Sequence, residues 1–88
     1  MTGTAARTVT VRVLLFAGYA DTLGFDSIEL TLEPPADVGD ALRRLRSLPG
    51  GERLPPKPLC ALNLTHVGMD ALLSGGDELA ILPPLAGG

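Results

Sequence analysis

A chain of 88 residues, 45% of them hydrophobic and with a net charge of −3, can build one small core but leaves little room for a buried enzyme cleft. Its single cysteine, Cys60, excludes an internal disulfide and a thiolate metal cage, and no apolar run is long enough to cross a bilayer. No basic stripe follows the chain, so neither nucleic acid nor a membrane is an expected partner.

Residues 1–8 read as a disordered lead; they lack a hydrophobic signal core, and the expected compartment is the cytoplasm. From Val9 to Ala17 the chain alternates as a strand, with Val9, Val11, Val13 and Leu15 on one face. The other face starts polar at Thr10 and Arg12 and turns apolar at Leu14 and Phe16. Gly18 to Gly24 breaks the pattern with a turn or one short helical turn. Ser27 to Leu32 resumes it, with Ile28, Leu30 and Leu32 together, so the two strands predict an antiparallel pair.

Pro34-Pro35 stops the second strand, and Asp37 is placed to cap a helix carrying Val38, Ala41, Leu42, Leu45 and Leu48 on one face. Asp40 precedes Arg43 and Arg44 by three and four residues, which is ion-pair spacing on a solvated helix face. Pro49-Gly50-Gly51 ends the helix, and a loop with Pro55, Pro56 and Pro58 leads to a third strand, Leu59 to Leu64. Cys60 lies in that apolar run as a buried thiol, and the only histidine, His66, falls in a turn near Thr65-His66. A short extended segment, Val67 to Met69, and a helical turn over Asp70 to Leu73 follow. Ser74-Gly75-Gly76-Asp77 then turns the chain into a last strand, Glu78 to Leu82. One amphipathic helix on a mixed sheet is an α+β two-layer arrangement. With a single helix to cover the sheet, part of its other face is left for solvent or a partner, and Leu14, Phe16, Leu82 and Leu85 are the candidate apolar patch.

After the last strand come Pro83-Pro84-Leu85-Ala86-Gly87-Gly88. Proline favours an extended backbone rising about 3.1 Å per residue, so six residues reach up to roughly 20 Å. Glycine has no Cβ, which lets the end of such a tail enter a narrow site. A terminal carboxylate, with a reference pKa of about 3.3–3.7, is ionised at neutral pH and can attack an electrophile such as the α-phosphate of ATP.

The opening Val11 to Ala17, the turn Gly75-Gly76-Asp77-Glu78-Leu79 and the ending Ile81 to Gly88 resemble the MoaD/ThiS family of ubiquitin-like sulfur carriers, most closely the small subunits of molybdopterin synthase. Asn63 also stands where that family often has asparagine before a turn. The resemblance covers residues 9–88 and implies a β-grasp fold: a mixed four- to five-stranded sheet, one main helix on one face, and the first and last strands parallel at its centre. It implies three segments, the lead 1–8, the domain 9–82 and the tail 83–88. It also implies a chemistry. A ubiquitin-activating-like enzyme adenylates the Gly88 carboxylate with ATP, sulfur displaces AMP to leave a thiocarboxylate, and the tail enters a large catalytic subunit that builds the dithiolene of the molybdenum cofactor. Gly88 is then the reacting residue, Gly87, Ala86, Leu85, Pro84 and Pro83 insert and guide the tail, and Leu82, Phe16 and Leu14 contact the partner. The chain is then no enzyme on its own, binds no metal or cofactor itself, and assembles with the large subunit as a heterotetramer.

Two departures bear on partner contacts. Family members often carry an arginine soon after the opening Phe-Ala, where this chain has Gly18-Tyr19-Ala20-Asp21, and an aromatic before the proline pair, where it has Leu82. The alternatives are a carrier for thiamine or another thiolation pathway, which share the diglycine end, and a β-grasp protein-binding module with an inert tail.

Overall fold

The computed structural model describes residues 8–84. Five strands, β1 (Val9–Leu15), β2 (Ser27–Leu32), β3 (Leu59–Leu62), β4 (Thr65–Val67) and β5 (Glu78–Leu82), form one sheet in the order β2-β1-β5-β3-β4. β1 and β5 run parallel in the middle, and every other pairing is antiparallel. The main helix, α2 (Val38–Arg46), covers one face, and a short helix, α1 (Gly18–Leu23), connects β1 to β2. This is the ubiquitin-like β-grasp.

Alternation drives the layering. Val9, Val11, Val13 and Leu15 are buried beneath α2, as are Leu30 and Leu32 of β2 and Leu79 and Ile81 of β5. Val38, Ala41, Leu42 and Leu45 meet them from the helix, with Leu48 half-buried at the margin. Each such Val, Leu or Ile contributes about 1.5–3 kcal/mol by leaving water, so this aliphatic interior carries the fold. The start of α2 is fixed twice. Asp37 and Asp40 exchange side-chain and backbone hydrogen bonds as a capping box, and the N–H groups of Val38 and Gly39 donate to Ala71 O (3.0 Å) and Met69 O (2.8 Å).

That second tie corrects one expectation. Asp70 to Leu73 is not a helical turn: Leu72 makes an isolated antiparallel bridge with Asp37, and Leu73 N–H donates to Ala36 O at 2.8 Å. With their backbone groups engaged by the start of α2, these residues cannot close helical hydrogen bonds among themselves. The third strand also stops two residues early. Asn63 and Leu64 take positive φ values of 49° and 74°, so they form the two-residue hairpin loop, and Thr65 and His66 pair in β4 instead of turning. Of the two forms expected for Gly18 to Gly24, the structure takes the helical one: α1 is a helix of six residues, ended by Gly24 in the left-handed region (φ 87°).

Candidate functional site

The strand that leads to the tail is the central one. β5 is flanked by β1 and β3, with Leu15 opposite Ile81 and Leu59 opposite Leu82. It therefore hands the chain to Pro83 and Pro84 from the most constrained part of the sheet; Pro83 is half-buried and Pro84 exposed. Leu85, Ala86, Gly87 and Gly88, expected to carry the tail chemistry, lie outside the described residues, as do residues 1–7 of the expected lead.

At its other end β5 is held by a polar clamp. Asn63 Nδ2 donates to Asp77 Oδ1 (2.9 Å), Glu78 N–H donates to Asn63 Oδ1 (3.0 Å), and Asn63 N–H donates to Glu78 O (2.8 Å). Asp77 Oδ2 accepts from Ser74 N–H at 2.7 Å, closing the preceding turn. The left-handed conformation of Asn63 aims its amide at the start of β5, which is a physical reason for asparagine at this position.

The sheet face away from α2 is divided. At the N-terminal end of β1 it is polar: Thr10 and Thr31 hydroxyls lie 3.2 Å apart, and Arg12 stands between Glu29 and Glu78 in the register. Toward the end of β5 it becomes apolar. Leu14, Ala80 and Ala61 adjoin across β1, β5 and β3, and Leu82 lies beside Leu59 one pair further on. Phe16, just past β1, is 44% exposed and Leu59 is 42% exposed. Leu14 and Leu82 are half-buried. The structure thus brings the expected Leu14, Phe16 and Leu82 to one end of one face, beside the base of the tail. It adds Leu59, Ala61 and Ala80, which the sequence reading passed over because Leu59-Cys60-Ala61-Leu62 looks uniformly apolar. The signal was the two-residue period: Cys60 and Leu62 face the core, so Leu59 and Ala61 must face away.

Among the described residues no group of three or more His, Cys, Asp and Glu side chains is placed to hold a metal ion. Cys60 is 1% exposed, and burial pushes its thiol up to about 11. It stays protonated at neutral pH and offers no thiolate. No helix among the described residues is long and apolar enough to cross a membrane. The described domain supplies an exposed apolar face and a central strand that runs on into the proline pair.

The ThiS family matches residues 13–88, nearly the whole of this framework. The chain belongs to the ThiS family. The molybdopterin synthase sulfur carrier subunit of Escherichia coli (strain K12) is 33% identical over 82 residues, covering 89% of this chain and 99% of that protein. The crystal structure of SAMP1 from Haloferax volcanii is 26% identical, with a TM-score of 0.76 over 90% of this chain and 99% of that one. A protein-protein complex of subunits 1 and 2 of the molybdopterin-converting factor from Helicobacter pylori 26695 contains the same fold: TM-score 0.66, 21% identity, 91% of this chain and 100% of that one. A ThiS-family sulfur carrier related to molybdopterin-converting factors is therefore what the sequence encodes, and its β-grasp domain is the carrier's body.

Proposed function

We propose that this chain carries sulfur as a thiocarboxylate on Gly88 and delivers it within a molybdopterin synthase. The likeness to the E. coli carrier subunit, spanning nearly all of that protein, supports this reading most directly. An adenylating enzyme brings ATP; a Gly88 carboxylate oxygen attacks the α-phosphorus and pyrophosphate leaves. The terminal sulfur of a persulfide then attacks the activated carbonyl, and AMP departs. A thiol cleaves the resulting S–S bond, leaving the thiocarboxylate on Gly88 and a disulfide on the donor side. The tail residues Pro83 to Gly87 enter the large subunit; the complex of subunits 1 and 2 in Helicobacter pylori supports the pairing of the two subunits. Proline stiffening lowers the entropy lost on insertion. Leu82, Phe16 and Leu14, together with Leu59, form the face that docks. The relay needs reduced thiols, which fits a cytoplasmic setting.

The test is the intact mass of the protein after incubation with ATP, a cognate adenylating enzyme and a persulfide donor. One oxygen replaced by sulfur, mapped to Gly88 and abolished by deletion of Gly87 and Gly88, is the expected result. An unchanged mass, with the enzyme active on the E. coli carrier, overturns the reading. Transfer to the pyranopterin precursor with a large subunit, rather than to a thiazole precursor, then fixes the pathway. The likeness to SAMP1, whose fuller name in relatives is small archaeal modifier protein 1, favours a second reading as a protein modifier. Isopeptide adducts between Gly88 and lysines of other proteins would support it.

A further inference from the structure

The strand register carries the apolar face one strand further than its large side chains do. Ala61 of β3 pairs with Ala80 on one side and with His66 on the other, and Ala80 pairs with Leu14. Leu14, Ala80, Ala61 and His66 therefore form one row across β1, β5, β3 and β4. Cys60 pairs with Val67 on the core side, so the row faces away from α2. Ala61 is only 9% exposed yet stands outside the core cluster, screened by the larger side chains around it on the open face. The two alanines thus make the floor of a shallow trough between Leu14 and His66.

His66 is exposed on the edge strand, and the only ion pair among the described residues is Arg43 with Asp40, so no salt bridge there fixes the imidazole's charge. On β3 its neighbours on this face are Leu59, Ala61 and Asn63. Glu78 of β5 is two strands across and two residues along, about 12 Å between backbones, beyond the screening length of about 8 Å at physiological salt. Arg12 of β1 is one strand further, and Asp77 is turned to Asn63 and Ser74. Asp70, past the end of β4, has its Oδ1 against Gly68, 3.3 Å from where a Cβ there would lie.

We infer, resting on the carrier reading above, that His66 belongs to the docking face and that the large subunit seats on the alanine trough with this imidazole neutral. The complex of subunits 1 and 2 in Helicobacter pylori supports a partner that stays bound, and lasting interfaces are the more apolar ones. An adenylating enzyme must instead release the carrier at every turnover. Two of the four exposed large hydrophobics among the described residues, Phe16 and Leu59, border this face, and Leu59 is two positions from Ala61 on the same side of β3. A partner that covers Leu59 and Leu82 therefore reaches the trough and its His66 wall. Imidazoles change charge between about pH 5 and 8, and a charge covered by apolar surface without a counter-charge is costly. Docking favours the neutral ring and weakens as pH falls.

The experiment is titration calorimetry of the full chain against the large subunit at about pH 8 and about pH 5.5. His66→Leu and His66→Gln are measured beside the wild type, each checked for an unchanged melting temperature at both pH values. We expect the wild type to bind about tenfold more weakly at the lower pH. Both variants are expected to lose that difference, with His66→Leu binding at least as tightly as the wild type at the higher pH. The same pH dependence in all three proteins, with Leu59→Asp weakening docking, overturns the role of His66 and leaves the carrier reading intact. Tighter docking at the lower pH that both variants abolish puts a carboxylate of the partner over the imidazole and overturns the neutral seating. A pH step that depends on His66 for the adenylating enzyme, with none for the large subunit, overturns the assignment of the partner. A wild type that neither binds the large subunit nor is thiocarboxylated overturns the carrier reading and the role of His66 with it.

Discussion

At the scale of single residues, Ala17 stores strain at the end of β1. Its dihedrals, φ 53° and ψ −130°, are those of the first central position of a type II′ turn, closed by Tyr19 N–H donating to Phe16 O at 3.1 Å. Glycine occupies this region freely, and a non-glycine residue held in a sparsely populated region costs about 1–3 kcal/mol. The turn sets where Phe16 leaves the strand and so shapes the edge of the apolar face. Ala17→Gly is expected to stabilise the domain by up to about 1 kcal/mol, after the greater freedom of glycine in the unfolded chain is subtracted. Ala17→Val is expected to destabilise it by at least as much. Thermal unfolding of both variants checks the pair, and opposite signs are the result that supports strain.

Among elements, α2 depends on its capping box. Asp37 Oδ1 accepts from Asp40 N–H at 2.8 Å, and Asp37 N–H donates to Asp40 Oδ2 at 2.9 Å. Asp37→Ala removes one half of the box and is expected to cost about 1 kcal/mol, read as a lower urea midpoint with an unchanged slope. The Asp37 N–H that donates to Asp40, aided by Arg43, holds the Asp40 carboxyl below its ordinary value of 3.8. A lowered folded value means that the unfolded chain takes up the proton first. Asp40 therefore stabilises the fold above about 3.8, and that contribution fades as pH falls below it toward the lowered folded value. Asp40→Asn is expected to flatten the acid limb of the stability profile below that pH and to leave its shape near neutrality unchanged. Urea titrations at a series of pH values measure this.

For the whole molecule, the decisive arrangement is a polar-to-apolar gradient across one open sheet face, ending where the tail begins. Parallel pairing of β1 with β5 places Leu14 beside Ala80, and antiparallel pairing of β3 places Leu59 beside Leu82. Since Leu59 is exposed at the end of a strand, replacing it touches docking more than folding. Leu59→Asp is expected to weaken binding to the large subunit by tenfold or more, about 1.4 kcal/mol, while the melting temperature changes by only a few degrees. Titration calorimetry beside a thermal melt separates the two; equal losses in both would mean that Leu59 serves the fold.

Much of this was legible in the chain itself. The alternation of Val9 to Leu15 and Ser27 to Leu32 identifies two strands and their buried faces, and Val38, Ala41, Leu42 and Leu45 identify the helix and its side. Periodicity is local, so it can be read without knowing what an element packs against. The diglycine end and the proline pair are likewise plain in the sequence. Other features required tertiary structure. Asp70 to Leu73 has the composition of a helical turn, yet its backbone is engaged elsewhere: Ala71 O accepts from Val38 N–H at the start of α2, and Leu73 N–H donates to Ala36 O. Leu59 and Leu82 are 23 positions apart, and only the register of β3 on β5 makes them neighbours. Local pattern determines which face of each element is buried; which elements then share an edge follows from the one packing that closes the core and pairs the strands' backbone groups.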